Sequence, residues 1–271
     1  MKINLCLLCM LPVIMGAGLR ADASEDQPAS PASNWSISVR PYVWLAGIDG
    51  SLAVPGLPEI PLQASFGDVL SNFDVGGMLA IEGRRGRWGV LADLMHVRLS
   101  ESANLPPGAP GVPAVPGIRA RARTTTTTLL LTAVYQATRT PRAGVDLLAG
   151  IRYWSLDASG NVDVPGIPPT RLTGAHSLSW ADPQLGVRGT VAVSPRVDLV
   201  ASALISADSD LLPDLYAGVV IAAGEDASVH IGYRSLTVDR RKRVMTPDRT
   251  DGLFDVDARL HGLLVGYDIR F

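Results

Sequence analysis

Between residues 35 and 271 side-chain character changes at every second position, and the charges and glycines keep to one of the two resulting sets. The last segment is clearest: Phe271, Ile269, Tyr267, Val265 and Leu263 share one face, while Arg270, Asp268, Gly266, Leu264 and Gly262 share the other. A period of two belongs to the β-strand, whose successive side chains point to opposite sides; an amphipathic helix would repeat every 3.6 residues. The same division recurs upstream. Over 145–153 the apolar set is Val145, Leu147, Ala149, Ile151 and Tyr153, opposed by Asp146, Gly150 and Arg152. Over 182–193 it is Pro183, Leu185, Val187, Val191 and Val193, opposed by Asp182, Gln184, Gly186, Arg188 and Thr190.

A soluble barrel also alternates, with its apolar face inside, so alternation alone leaves the surroundings open. Three features favour a bilayer. The apolar faces are almost free of charge, and the opposite faces mix both signs with Gly, as suits a narrow polar lumen. The chain also begins like an export leader: Lys2, an apolar run over 3–15, and Ala21-Asp22-Ala23 as a small-x-small cleavage site. Residues 1–23 are therefore expected to be a cleaved signal peptide, 24–34 a flexible lead-in, and 35–271 the barrel. Cys6 and Cys9 leave with the leader, so the rest of the chain has no thiol for a disulfide or metal. With 27 Gly, 20 Pro and a net charge of -2, the composition opposes long helices and carries no nucleic-acid signature.

Strands are expected near 35–47, 73–83, 87–99, 118–137, 143–157, 176–193, 196–206, 212–222, 227–239 and 254–271. The connections alternate between long and tight, the asymmetry of outer-membrane barrels with short periplasmic turns and longer external loops. The expected fold is thus an all-β transmembrane antiparallel up-and-down barrel of about ten strands (eight or twelve if one is merged or missed), with both termini periplasmic. Val54-Pro55-Gly56-Leu57-Pro58, Val115-Pro116-Gly117-Ile118 and Val164-Pro165-Gly166-Ile167-Pro168 put Pro before Gly, the chemistry of a type II turn. The first three external loops are expected to project as β-hairpins, either as adhesive knobs or simply as stable turns.

The segments Arg40-Pro41-Tyr42-Val43-Trp44-Leu45, Phe66-Gly67-Asp68-Val69-Leu70, Arg87-Trp88-Gly89, 146–154 (DLLAGIRYW), Trp180-Ala181-Asp182-Pro183 with Gly186 and Arg188, and Gly232-Tyr233-Arg234 follow in an order that resembles a family of uncharacterised Gram-negative outer-membrane β-barrel proteins. The resemblance implies a barrel in the bacterial outer membrane and brings no substrate or reaction with it. The loops 100–117 and 240–253 have no counterpart in it.

Four constellations could carry function. Alternation turns Arg40, Asp74, Glu82, Asp93, Asp146, Arg152, Asp182, Arg188, Asp198, Arg234, Asp268 and Arg270 into the lumen, where they either pair as a structural polar core or line a narrow channel. Tyr42, Trp44, Trp154 and Trp180 gather near the external mouth. They could bind a sugar or apolar ligand, or pack on a short capped helix over 65–72 with a stripe of Phe66, Val69, Leu70 and Phe73 that plugs the barrel. Arg119, Arg121, Arg123 and the run Arg240, Arg241, Lys242, Arg243 would lie at lipopolysaccharide phosphates, or be solvated loop charge. Catalysis has only the pairs His96 with Ser100 and His176 with Ser177, neither in a nucleophile motif; Asp251, Asp255 and Asp257 have a spacing unspecific for calcium.

The resulting expectation is a monomeric outer-membrane barrel without cofactor, with a structural or surface-interaction role and a plugged or narrow lumen. Its partners would be outer-membrane lipids, lipopolysaccharide and the barrel-assembly machinery, with no nucleic acid. A porin-like passive channel for small solutes is the alternative, and a lipid-modifying enzyme the third reading. As the resemblance implies, Val265, Tyr267, Ile269 and Phe271 would be the strand that the assembly machinery reads. Deleting Phe271 removes one interfacial aromatic, too little to open a closed barrel. It is therefore expected to lower the amount of protein reaching the membrane in cells much more than the yield of refolding into detergent. Equal losses in the two measurements would refute that role.

Overall fold

The computed structural model describes residues 35–53, 60–71, 73–105, 117–165, 170–206, 212–245 and 251–271; the leader, the lead-in and the tips of the long loops, including most of the Pro-Gly segments, lie outside them. In chain order the elements are β1 (Trp35–Ala53), β2 (Ile60–Ala64), α1 (Phe66–Ser71), β3 (Phe73–Arg85), β4 (Trp88–Leu105), β5 (Ile118–Arg139), β6 (Ala143–Val164), β7 (Thr170–Ser194), β8 (Val197–Ser206), β9 (Pro213–Ala222), β10 (Ala227–Met245) and β11 (Asp251–Arg270). Of the eleven strands, β2 pairs only with the far end of β1; the other ten each pair antiparallel with their sequence neighbours, and β11 pairs with β1 to close the wall. The protein is thus a closed, ten-stranded, up-and-down antiparallel barrel. None of its described helices is long and apolar enough to cross a membrane. If the wall crosses one, it does so with strands.

Closure is tight at the ends of the chain. Ile37 and Phe271 exchange both backbone hydrogen bonds, at 3.2 and 2.8 Å, and the register then runs from Ser38 opposite Arg270 to Ala53 opposite Asp255. The neighbouring seam is shorter. β1 pairs with β3 only from Trp35 to Pro41, whose ring nitrogen has no hydrogen to donate to a further ladder bond. β2 takes up the same edge again from Ile48 to Leu52, and α1 packs against β1 and β2.

Both termini of the barrel and the four tight turns, β3–β4, β5–β6, β7–β8 and β9–β10, lie at one end. Gly86 supplies the left-handed residue of the first turn, with φ of 60°. At the far end the strands differ in height. β8 and β9 have 10 residues each, the length that spans a bilayer, whereas β5 and β6 have 22 and β7 has 25. The surplus continues as paired β-structure, with Leu105 still opposite Ile118 and Val164 opposite Thr170. The stems of the first three long loops are thus paired as hairpins, while the Pro-Gly tips expected to turn them lie largely outside the described residues.

The burial alternates as the sequence does. Every barrel strand carries exposed apolar residues at outward positions, among them Val43, Ile81, Leu94, Leu131, Ile151, Leu185, Leu199, Leu215, Ile231 and Val265. Inward positions hold the polar and charged groups together with the largest buried aromatics. A barrel with an apolar outside and a polar inside satisfies its backbone internally and fits hydrocarbon rather than water. Leu185 and Ser202 test the two faces, because Leu185 is 52% exposed on the outer wall and Ser202 lines the lumen. Leu185→Arg is expected to cost about 2–4 kcal/mol on refolding into lipid vesicles. Ser202→Arg should cost distinctly less in the same denaturant titration.

Candidate functional site

The lumen is organised in layers. Nearest the termini, Arg40 donates through Nε and Nη2 to Asp268 at 3.1 and 2.9 Å, with His230 Nε2 3.9 Å from the same carboxylate. Next to it, Arg188 donates to both oxygens of Glu82 at 2.8 Å and to Asp146 at 2.9 and 3.1 Å, and Arg84 reaches the same two carboxylates. Two guanidinium groups thus meet two carboxylates from three strands, the planar matching in which Arg surpasses Lys. A cavity of about 580 Å³ occupies this half of the barrel and extends to the mouth at the termini, where the β5–β6 turn and Arg270 line it.

The third layer crosses the middle. Arg234 donates to both oxygens of Asp214 at 3.0 and 2.8 Å and to Asp93 at 3.2 Å, while Arg152 donates to Asp214 Oδ2 as well. Tyr42 donates its phenol to Asp93 at 2.6 Å, and the Arg234 guanidinium lies 5.1 Å from the centre of the Trp44 ring. Glycine makes room nearby. A Cβ at Gly232 would lie 2.6 Å from the Tyr216 hydroxyl, so that ring can cross the lumen only over a residue without a side chain.

Beyond this layer the interior becomes apolar. Trp154 and Trp180 stack at 5.6 Å with 11° between their planes, and pack with Trp44, Leu178, Leu236, Val238, Val256 and Ala258 in one buried cluster. Trp180 donates its indole N–H to Asp182 at 2.8 Å, and Trp44 donates to the Gly262 carbonyl at 3.3 Å. The mouth aromatics predicted from alternation are therefore brought together, but their partners are one another and the walls. α1 is capped as its sequence suggests: the Ser65 amide and hydroxyl donate to the Asp68 carboxylate at 2.9 and 2.7 Å, and the Asp68 amide donates back to Ser65 Oγ at 3.3 Å. These bonds, first the hydroxyl and then the amide, hold the Asp68 carboxyl below its usual range. Yet Phe66 and Val69 remain half exposed and stand outside the cluster, so among the described side chains α1 does not plug the lumen. The other two residues of the stripe, Leu70 and Phe73, have side chains outside the described ones.

The other predicted residues divide. Arg119, Arg121 and Arg123 are exposed on the raised part of β5, Arg121 pairing with Asp163 at 3.0 Å. Arg240 does not join an external patch: β10 is still in register there, which turns its guanidinium inward to 3.6 Å from Asp182. Arg241, on the opposite face, meets Asp255 at 2.9 Å. The side chains of Asp74, His176, Lys242, Arg243 and Asp251 lie outside the described ones. His96 lies 2.8 Å from the Thr127 hydroxyl, while Ser100 accepts from Arg123 at 3.3 Å. Among the described residues no group of three His, Cys, Asp or Glu side chains is placed to hold a metal ion.

Two charged lumen residues escaped the sequence reading, Arg84 and Asp214, whereas alternation places His230 with Gly232 and Arg234 on the charged face of β10. The signal for Asp214 was present, since Asp214, Tyr216 and Gly218 continue the inward set of β9. Arg84 was hidden because it adjoins a turn, where alternation ends.

No protein-family model and no curated protein sequence matches the chain. In fold it is similar to the outer membrane protease OmpT from Escherichia coli, with a TM-score of 0.53 and 8% identity over 91% of this chain and 99% of that one. The translocator domain of the autotransporter NalP from Neisseria meningitidis matches less closely, at a TM-score of 0.45 and 12% identity over 90% of each chain. These likenesses are of architecture. With the apolar band and the closed wall, the likeness to OmpT defines the class: the chain is a transmembrane β-barrel with the fold of outer-membrane barrels.

The central layer makes a specific demand. Asp214 lies between two buried guanidinium groups, so Asp214→Asn leaves positive charge uncompensated and is expected to cost about 3–5 kcal/mol. Arg121→Ala removes one partner of an exposed pair and should cost no more than about 1 kcal/mol. Urea unfolding of both variants in vesicles measures the difference.

Proposed function

We propose that the protein is a sealed, non-conducting outer-membrane barrel that serves as a structural and surface-interaction protein. The observation that carries this reading is the succession, along the lumen, of the Arg234–Asp214–Arg152 layer and the stacked Trp154–Trp180 cluster. A solute entering the cavity at the termini would meet fully paired charges and then a packed apolar layer. Moving it further would require breaking both. The alternative, a passive channel for small solutes, draws support only from that cavity, which does not continue past the central layer.

In this reading the termini and tight turns face the periplasm, and the raised hairpins of β4–β5 and β6–β7 stand outside the cell. Arg119, Arg121 and Arg123 project from the outer wall there, at the height where guanidinium groups would meet lipopolysaccharide phosphates. The barrel would work as a monomer, inserted by the barrel-assembly machinery. Planar-bilayer recording of the refolded protein tests the seal. The wild type is expected to be silent, whereas Trp154→Ala combined with Trp180→Ala and Arg234→Ala should give unitary current steps. Stable steps from the wild type would reject the proposal.

A further inference from the structure

The outer wall of β10, β11 and β1 carries a polar network where the pattern calls for apolar side chains or solvated charge. On these strands the exposed outward residues Ile231, Val265 and Val43, and then Tyr233 and Leu263, form an apolar column. In the next outward row away from the termini stand Ser235 and His261, direct partners in the β10–β11 register, with Asp49 of β1 one step beyond. His261 Nε2 is 2.6 Å from Asp49 Oδ2 and His261 Nδ1 is 2.6 Å from the Tyr233 hydroxyl. Arg259 donates through Nε to Ser235 Oγ at 3.0 Å.

We propose that Ser235, His261 and Asp49 form an esterase centre on the lipid-facing wall, acting on an ester-linked acyl lipid in the leaflet remote from the chain termini. The proposal rests on the placement of the barrel in a bilayer, and on neither the state of the lumen nor the role of the loops. Its first support is the order of the groups: a hydroxyl, an imidazole and a carboxylate follow one another across three adjacent strands, all facing outward. Directly opposed side chains on antiparallel strands have Cβ atoms about 4.5–5.5 Å apart, which puts Ser235 Oγ within a rotamer change of the imidazole. The second is the proton arrangement. A carboxylate only accepts, so Asp49 fixes the proton of His261 on Nε2 and leaves Nδ1 as the base, where the Tyr233 phenol now donates. Third is position. In a membrane lipid the ester lies where the acyl chain joins the headgroup, and the network lies where the apolar column gives way to Asp49, Arg259, Asp257 and Arg241. A lipid whose chain rests on Val43, Val265 and Leu263 would bring its ester to Ser235, which is buried and held by Arg259 until that guanidinium turns from Ser235 Oγ to the ester's carbonyl oxygen.

When that ester arrives, the Tyr233 O–H turns from His261 to the carbonyl oxygen and frees Nδ1. Ser235 Oγ then bonds to the carbonyl carbon as its proton passes to Nδ1, and the carbonyl electron pair moves onto oxygen, where Tyr233 and Arg259 donate to it. Collapse of this intermediate breaks the bond to the alcohol, which takes the proton from Nδ1 and departs as the lysolipid. Water repeats the two steps on the acyl-serine, releases the fatty acid and restores Ser235.

The test uses the full-length protein refolded into two sets of vesicles, one of phosphatidylethanolamine and one also containing lipid A, with released fatty acid measured by mass spectrometry. Release from both sets identifies phosphatidylethanolamine as the lipid, and release from the second set alone identifies lipid A. Ser235→Ala, His261→Ala and Asp49→Asn, each verified as folded by gel mobility, are expected to lose at least about 100-fold in rate. An alkyl fluorophosphonate should label Ser235 in the wild type and in Tyr233→Phe, which keeps the nucleophile while losing an oxyanion donor. No fatty acid from either set, an unchanged rate in His261→Ala, or phosphonate on Tyr233 would overturn the proposal. A silent barrel without hydrolysis would leave the sealed barrel standing and remove only the esterase.

Discussion

A β-wall in hydrocarbon has no water to satisfy its edges, so the pairing of β11 with β1 is the interaction on which the rest depends. Once Phe271 and Ile37 exchange backbone bonds and the register runs on to Ala53, the wall is closed on itself. The seam between β1 and β3 stops at Pro41, and farther along β2 and α1 take up the free edge of β1. Closure also sets the size of the lumen. Ten strands enclose a space that side chains from facing walls can bridge, and this turns a list of inward charges into a set of pairs.

Charge pairing in such a space is a necessity before it is a source of stability. A buried ion pair gains little over an apolar replacement, whereas one buried charge without its partner is very costly. That asymmetry explains the recurring motif of a carboxylate between two guanidinium groups, seen at Asp146 with Arg84 and Arg188 and at Asp214 with Arg152 and Arg234. Within each group one pair joins strands that are not neighbours, Arg84 of β3 with Asp146 of β6 and Arg152 of β6 with Asp214 of β9, so the layers fix the cross-section of the barrel as well as filling it. The apolar cluster beyond them needs no such matching, because Trp154, Trp180 and Leu178 fill their volume by contact.

The wall was legible in the sequence because alternation is a local property. Leu185 outward and Gln184 inward follow from their neighbours alone, as does the inward set of β11. The contents of the lumen were legible only as a list. Arg234 meets Asp93, 141 positions away, and no local pattern specifies that partner. The 3.6-residue stripe of α1 was real, and so was its cap, but the place of a six-residue helix is set by the edge it packs on. Arg240 shows the opposite failure. A run of four basic residues suggests an exposed loop, yet an unbroken β10–β11 ladder keeps alternating through it and sends this guanidinium to Asp182.

The same alternation explains why a reactive-looking group can stand on the outer wall unnoticed. His261 belongs to the outward set of β11, flanked two residues away by Leu263 and Arg259, and read along the strand it marks only the end of the apolar run. Its neighbours come from other strands: Ser235 lies 26 residues back, and Asp49 reaches it only through the closing seam. Lumen charges are held in place by the need to neutralise one another out of water. No such need acts at the membrane surface, where headgroups and water can satisfy polar side chains singly. An imidazole held at both nitrogens there, at 2.6 Å each, is order that neither closure of the barrel nor desolvation requires. What remains to account for it is an interaction with something that lies against the wall.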